Sequence, residues 1–278
     1  MSEFMHTILD LDLDFFVWPI ERDRAEDEPR LDEKEFAPQS AEQVREFLEK
    51  RCGLSTTRPI PGRFVVHHVD AFTTWRDWLG NGALSQPFDV VHVDAHADLG
   101  AGWNQSAKFY ETELLALPLE QRGSPQVGTD STNSGNYLVA AVANRWIRSL
   151  TYVYPTEPKP PDPEEIRKSQ AMENLRQFLS DDNEDERYPN DLAPFCFKDW
   201  NPRTRTIQLR EYSRSHYSLV DRNTAPVHVE PEVPFDWKKA EEFTFSDFTH
   251  FVVAQSPAYT PAAADPLLEV IREYFTPA

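Results

Sequence analysis

The chain has 278 residues, 40% hydrophobic and 12% aromatic, a composition that excludes an unfolded polypeptide and allows one large α/β domain or two small ones. Its formal net charge of −19 argues against a nucleic-acid partner, because phosphate binding requires clustered Lys and Arg. An acidic surface either attracts a cationic substrate or serves solubility alone.

Cysteine usage and the N-terminal sequence predict a cytoplasmic protein. Cys52 and Cys196 are far apart and lack CxxC spacing, so neither a disulfide framework nor a zinc knuckle is expected. The N-terminal residues are acidic where a signal peptide would be basic, and no run approaches the roughly 18 apolar residues of a membrane span. We therefore expect no membrane association.

Predicted strands alternate with predicted helices along the chain. Ser40 is positioned to cap a helix that ends near Arg51, with Gln43 completing a capping box. Strands are predicted at 8–16, 63–68, 88–93, 150–154, 204–213, 217–230 and 248–255, and further helices at 71–79, 135–150 and 266–274. This order predicts a three-layer αβα fold with a mainly parallel central sheet. We expect one domain, 1–278, with a surface insertion around 155–200 that includes a proline-rich segment.

Three potential metal ligands follow the strand predicted at 88–93. Asp94, His96 and Asp98 are spaced two residues apart, and alternate side chains of an extended chain share a face. Two carboxylates and an imidazole at such close spacing are costly to bury without a cation. The motif therefore predicts a metal site.

A second acidic cluster lies on the N-terminal strand. Asp10, Asp12 and Asp14 share one face of that strand. The alternative to a functional role is an edge strand whose acidic face is exposed to solvent. Ligands of parallel sheets bind at the carboxyl ends of the strands, so this cluster and the Asp94 cluster are expected to meet.

The histidines near these clusters are expected to differ in role. His67 and His68 end another predicted strand, and neighbouring residues point to opposite faces, so one of the pair should reach the site. His92 lies inside a strand and is expected to be a core residue or to support a ligand.

The segment Asp94-Ala95-His96-Ala97-Asp98 resembles the DAHAD signature of arginases and agmatinases, the ureohydrolase family. His68 matches the family's histidine on the preceding strand, and Asp12-Leu13-Asp14 matches its Asp-x-Asp pair. The pair precedes DAHAD here, an order similar to that of peptide arginases. These enzymes convert arginine side chains within a peptide to ornithine and release urea. The resemblance implies an arginase/deacetylase-like fold and an arginine-containing precursor peptide as partner.

The resemblance also implies a site for two Mn²⁺ ions. Asp12 and Asp94 would bridge the ions, while the remaining ligands would be His68 with Asp98 on one ion and His96 with Asp14 on the other. Asp98 would in addition be catalytic, holding the nucleophile and passing its proton to the departing amine. Asp10 matches no family ligand and would support the ligands.

Substrate contacts follow from a second matching segment. The segment 132–136 resembles the arginase segment that holds the backbone end of arginine, which implies that Ser134 and Asn136 bind substrate. A guanidinium also needs an acid to pair with. Asp70, Glu230 and Glu232 are the available acids, and Glu230 is favoured because it ends a predicted strand.

One departure from the family leaves alternatives open. Leu138 stands where arginases place a catalytic histidine, so either the proton shuttle is absent or another residue such as His216 or His228 supplies it. The alternatives are a deacetylase-like metal amidohydrolase with a single zinc ion, or a non-catalytic metal-binding protein. The oligomeric state, including a homo-oligomer, stays open.

Overall fold

The computed structural model describes residues 5–21, 24–100, 114–123, 132–155, 205–211 and 228–278. The strands are β1 (Thr7–Asp12), β2 (Val17–Trp18), β3 (Ala37–Pro38), β4 (Ile60–Val65), β5 (Phe88–Val93), β6 (Ile147–Tyr154), β7 (Thr206–Ile207), β8 (Arg210–Glu211), β9 (His228–Val229), β10 (Val233–Lys239), β11 (His250–Ala254) and β12 (Phe275–Pro277). The helices are α1 (Ala41–Glu46, continued by a π-helical segment, Phe47–Arg51), α2 (Asp70–Asn81), α3 (Tyr137–Ala143) and α4 (Asp265–Arg272).

Eight of these strands form one central sheet, in the order β12-β4-β11-β1-β5-β6-β10-β7. All neighbours pair in parallel except β10 and β7, which are antiparallel. The prediction of a mainly parallel sheet is confirmed. Strand β1 lies in the middle of the sheet, where Leu9 pairs with Phe251 on one side and with Val91 on the other. An edge strand with a wet acidic face is therefore wrong for β1, and Asp10 is fully buried.

Helices cover both faces of the sheet, which confirms the predicted three-layer arrangement. On one face, Phe72 and Trp75 of α2 and the apolar side chains of α3 form a buried core with Val90 of β5. On the other face, Val44 of α1 and Leu268 of α4 pack into a second core. The sheet is apolar on both sides because its parallel strands are covered by helices on both sides.

The start of α1 follows the predicted capping box. Ser40 Oγ accepts a hydrogen bond from the Gln43 backbone N–H at 3.2 Å, and Gln43 Oε1 accepts from the Ser40 N–H at 2.9 Å. Two N–H groups that have no partner within the helix are thereby satisfied.

The helix predicted at 135–150 is much shorter than expected, because α3 ends at Ala143. Arg145 has a left-handed backbone with φ 57°, which ends the helix before β6 begins. Arg122 Nη1 donates to the Ala143 carbonyl at 3.0 Å, and Asn144 Nδ2 donates to the Ala140 carbonyl at 2.8 Å. Side chains thus satisfy carbonyls at the helix end, where the sequence offers no glycine.

Two further boundaries differ from prediction and affect the site. β1 ends at Asp12, and Asp14 lies in a short 3₁₀ segment, Leu13–Phe16. β4 ends at Val65, so His68 lies in the turn between β4 and α2 and not on a strand. Apart from Pro155, the insertion predicted around 155–200 lies outside the described residues.

Candidate metal centre

The two acidic clusters meet at the carboxyl ends of β1 and β5, which are neighbours in the sheet. Asp94 is the first residue after β5, and its backbone N–H donates to the Val153 carbonyl at 3.1 Å. The chain then bends: the His96 N–H donates to Asp94 Oδ1 at 2.6 Å, and Asp98 adopts a positive φ of 48°. Such a φ is uncommon for a residue other than glycine, and it turns the Asp98 carboxylate back toward the strand end.

A first group of potential ligands surrounds the imidazole of His68. Its Nδ1 atom lies 2.9 Å from Asp94 Oδ2, 3.1 Å from Asp12 Oδ2 and 3.2 Å from Asp98 Oδ2. These side chains are all buried, with His68 and Asp94 each 1% exposed. His68, Asp94 and Asp98, together with His92, offer ligand atoms that all lie within 4.8 Å of one another.

The His68 Nδ1 atom is buried and makes no hydrogen bond with the described residues, despite its closeness to three carboxylates. Buried polar atoms without a partner are rare and require an explanation. Ligand atoms held at ~2.1 Å around an octahedral ion lie about 3 Å apart, close to the spacings measured around Nδ1. This orphaned nitrogen and its surrounding oxygens therefore fit a metal ion.

A second group of potential ligands lies on the other side of Asp94. His96 Nδ1 is 2.9 Å from Asp14 Oδ2 and 3.5 Å from Asp94 Oδ1. His96 Nε2 donates to the Glu21 carbonyl at 2.8 Å, because a carbonyl can only accept. Its hydrogen is thus on Nε2 and its Nδ1 lone pair faces the carboxylates. The Tyr259 ring packs edge-on against the imidazole with centroids 5.0 Å apart.

Asp12 is held at the junction of the strand and the 3₁₀ segment. Its Oδ1 accepts from the Asp14 N–H at 3.1 Å, and its Oδ2 accepts a short hydrogen bond from the Ser256 hydroxyl. Ser256 has a left-handed backbone with φ 45°, which aims the hydroxyl at Asp12 from the end of β11. Asp12 contacts the His68 group directly, and its charge acts on Asp14 of the second group.

Burial and mutual repulsion shift the pKa values of the carboxylates in the cluster. Burial, Asp12 and Asp94 raise the pKa of Asp14, while burial and Asp94 raise the pKa of Asp98 to about 6. Burial would also raise the pKa of Asp94, but its close contacts with the imidazoles of His68 and His96 lower it below the usual range. A cation would relieve the same repulsion that raises the pKa values of Asp14 and Asp98.

His92 occupies the position expected of a residue that supports ligands. Its Nδ1 donates to Asp10 Oδ2 at 3.0 Å, and its Nε2 lies 3.0 Å from the His96 carbonyl oxygen and 3.5 Å from Asp94 Oδ2. The contact with Asp94 brings Nε2 into the first ligand group. Because a carbonyl can only accept, Nε2 donates this hydrogen bond and has no lone pair for a metal ion, so we assign His92, with a hydrogen on both nitrogens, to the support of the cluster.

The segment predicted to bind substrate lies beside the cluster. Ser134 Oγ accepts a hydrogen bond at 3.2 Å from the backbone N–H of Val69, the residue that follows His68. Asn136 Oδ1 accepts from the Asn133 N–H at 2.9 Å. Asn136 is 1% exposed and shapes its own turn. Leu138 is fully buried in α3, so this position cannot shuttle protons. The roles of Ser134 and Asn136 in substrate binding stay predictions.

Glu230 lies elsewhere than expected. It is 1% exposed and accepts from Arg122 Nη1 at 2.5 Å, from Arg145 Nε at 2.8 Å and from His228 Nε2 at 2.5 Å. Arg122 also binds the Ala143 carbonyl, so this ion cluster lies at the end of α3 opposite Tyr137. The expectation that Glu230 binds a substrate guanidinium is wrong, because two guanidinium groups of the chain already occupy its carboxylate.

The other residues proposed for substrate or proton transfer have mixed outcomes. Asp70 begins α2 two residues after His68 and is half-buried, so it remains available near the site. Glu232 is exposed. His228 belongs to the ion cluster around Glu230, because its Nε2 contacts the Glu230 carboxylate. His216 lies outside the described residues.

Four residues at the site carried no sequence signal: Glu26, Tyr137, Ser256 and Tyr259. The half-buried Glu26 carboxylate accepts from the Ser134 N–H at 2.9 Å and lies 3.9 Å from His67 Nδ1. Tyr259, whose ring packs against His96, donates through its Oη to the Arg24 carbonyl at 2.5 Å. This hydrogen bond holds the loop that carries Glu26 next to the second ligand group. These contacts join parts of the chain too distant for any spacing rule to relate them.

Comparison with known proteins does not supply a family for this chain. No protein-family model matches the sequence, and no curated protein matches it. Within the ranges that the structure describes, none of the helices combines the length and the apolar character needed to cross a bilayer. What the geometry establishes is a buried cluster of His and Asp side chains that could hold a metal ion.

Proposed function

We propose that this protein is a binuclear manganese hydrolase that converts arginine side chains of a peptide to ornithine and releases urea. One observation carries the proposal: Asp94 directs one carboxylate oxygen to His68 and the other to His96, so that two ligand groups share one carboxylate. The resemblance of 94–98 to the ureohydrolase signature supplies the reaction.

The ligand set favours manganese. Asp12, Asp98 and His68 would complete the site on one side of Asp94, and Asp14 with His96 the site on the other side. Carboxylate and imidazole ligands without thiolate suit Mn²⁺ better than the softer metals. The free Cys52 is buried in the second core and contributes nothing to the cluster.

Two bound divalent ions would supply a nucleophile at neutral pH by lowering the pKa of water. One water adds to the guanidinium carbon, and the bond between that carbon and the side-chain nitrogen breaks. Asp98 accepts a proton from the water and passes it to the departing amine. The second hydrogen of the water follows it when the hydroxyl on the guanidinium carbon becomes the urea carbonyl, so the products are urea and the ornithine ammonium group.

The cationic substrate would be bound by acids at the rim of the cluster. Asp70 follows His68 by two residues, and Glu26 reaches Ser134 and His67 from a surface loop. Both carboxylates are half-buried, an environment in which pairing with a guanidinium is stronger than in open solvent.

Incubation with Mn²⁺ and either an arginine peptide or free arginine tests this function. We expect urea in the peptide reaction together with the mass loss of conversion to ornithine. Ornithine from free arginine as well would broaden the substrate class to the amino acid. Absence of urea from both substrates, with the metal bound, would overturn the proposal.

Metal analysis separates the alternatives. About two Mn²⁺ per chain support the binuclear site, whereas one Zn²⁺ would favour a deacetylase-like amidohydrolase. A fully buried Leu138 in place of a catalytic histidine favours a metal-binding protein without turnover. That alternative predicts that the protein binds metal but releases no urea from arginine substrates.

A further inference from the structure

Behind the first ligand group lies a set of four buried side chains, here called the Asp10 network: Asp10, His68, His92 and Tyr137. Each is at most 1% exposed. Asp10 Oδ1 is 3.3 Å from His68 Nε2, Asp10 Oδ2 is 3.0 Å from His92 Nδ1, and the Tyr137 hydroxyl donates a short hydrogen bond to Oδ2. Asp10 therefore contacts three donors. It lies on β1, two residues before Asp12 of the first ligand group.

The donors and acceptors of the network determine where the hydrogens lie. The carboxylate of Asp10 faces His68 Nε2, His92 Nδ1 and the Tyr137 hydroxyl, so its two oxygens act as acceptors. Tyr137 gives its single hydrogen to Asp10, and its oxygen lies 3.0 Å from His68 Nε2 as a second acceptor. Both neighbours of His68 Nε2 thus require a hydrogen on that atom.

We propose that Asp10 and Tyr137 are positioning residues that hold His68 with the hydrogen on Nε2 and the Nδ1 lone pair toward a cation between Asp12, Asp94 and Asp98. Metal-bound histidines commonly donate their other ring N–H to such a partner, which orients the ring and makes the ligand atom more basic. The orphaned Nδ1 is the atom that this arrangement leaves free. The inference rests on the metal-binding part of the proposed function and not on its reaction.

The fold explains why this position needs a rigid partner. His68 lies in the turn after β4, whereas Asp10 lies inside the central strand β1 and pairs in register with His92 of β5. Tyr137 is the first residue of α3 and its ring contacts His68 with centroids 5.0 Å apart. Residues of a strand and of a helix thereby orient the His68 imidazole, which lies in a turn outside regular secondary structure.

Two substitutions test the proposal, each in the full-length chain. Asp10→Asn keeps the volume but replaces one acceptor oxygen by an N–H₂ donor, so the three donors around residue 10 cannot all be satisfied. Tyr137→Phe removes the hydroxyl and keeps the ring. Tyr152→Phe is the matched control, because Tyr152 is also buried, its ring lies 5.7 Å from His92, and its hydroxyl makes no hydrogen bond with the described residues.

The measurements are Mn²⁺ binding by calorimetry and the electron paramagnetic resonance spectrum of the bound ions. We expect affinity for one of two ions to fall about 10- to 100-fold in Asp10→Asn and about tenfold in Tyr137→Phe. The spectrum should change from that of a coupled pair to that of an isolated ion, a change that a merely structural role would not cause. Tyr152→Phe should bind both ions as the wild type does.

The outcomes separate this inference from the proposed function. Wild-type protein that binds no Mn²⁺ would overturn the metal centre itself. Wild-type affinity and spectrum in a folded Asp10→Asn, or an equal loss in Tyr137→Phe and Tyr152→Phe, would overturn the positioning role alone. If Asp10→Asn does not fold, as judged by circular dichroism, the comparison of the two tyrosine variants decides.

Discussion

Oδ2 of Asp94 lies 2.9 Å from Nδ1 of His68, the buried nitrogen that makes no hydrogen bond with the described residues. The other oxygen of the same carboxylate accepts from the His96 N–H and faces the His96 imidazole. One side chain thus connects the turn after β4 with the bend after β5. This connection makes Asp94 the residue on which both ligand groups depend.

We predict that Asp94→Asn removes both ions and abolishes urea release, because the amide carries one acceptor oxygen and no charge. Metal content by mass spectrometry should fall from about two Mn²⁺ to none. Asp89→Asn is the control, since Asp89 lies on the same strand and pairs with the exposed Arg148 outside the cluster. Full activity in Asp94→Asn would show that the site assignment is wrong.

Removal of divalent cations should lower the stability of the protein. A ligand present at 100 times its dissociation constant adds about 2.7 kcal/mol to the free energy of unfolding, because it binds the folded state alone. Mn²⁺ should therefore raise the melting temperature of chelator-treated protein, and Ca²⁺, which prefers oxygen ligands, should raise it less. An equal rise in Asp94→Asn would mean that the cations act elsewhere on this acidic chain.

Glu230→Gln should destabilise the fold without changing metal content. The change leaves Arg122, which is 4% exposed, without its counter-charge, and breaking a buried ion pair costs about 3 kcal/mol or more. Urea unfolding measures the loss. Asp236→Asn breaks the half-exposed pair with Arg205 and should cost less than about 1 kcal/mol. A raised KM for an arginine peptide with unchanged stability would instead return Glu230 to the substrate site.

His250 should make the fold sensitive to acid. Burial and the neighbouring His6 lower the pKa of His250 to about 4, below its ordinary value of 6.5. The unfolded chain then binds the extra proton first, so stability is full above pH 6.5 and falls as the pH drops toward 4. The loss reaches about 1–2 kcal/mol at pH 5. His250→Gln should flatten this part of the pH profile, and parallel profiles for the two proteins would refute the prediction.

Local patterns were sufficient for the layers of the fold and for the ligand clusters. Alternating apolar and acidic residues located β1, and the spacing of Asp94, His96 and Asp98 after an apolar strand located the cluster, because both depend on neighbouring residues. The boundaries were predicted less accurately: His68 was expected on a strand and lies in a turn, yet it still reaches the carboxylates.

What local patterns did not reveal depends on contacts between distant segments. The pairing of Glu230 with Arg122 joins residues 108 positions apart, and nothing in the sequence near Glu230 indicates that its charge is already compensated. Ser256 likewise reaches Asp12 across 244 positions. The extent of α3 was misjudged because an arginine, and not a glycine, takes the left-handed conformation at its end.

The central position of β1 has a consequence for how the protein is made. β1 leaves the ribosome long before β11, which pairs with β1 along one whole side and follows more than 230 residues later. Until β11 emerges, a strand bearing two aspartates has an open hydrogen-bonding edge in the nascent chain. The last contact with Asp12 comes from Ser256, beyond β11. A metal ion could therefore be enclosed by this cluster only after β11 and Ser256 have been synthesised.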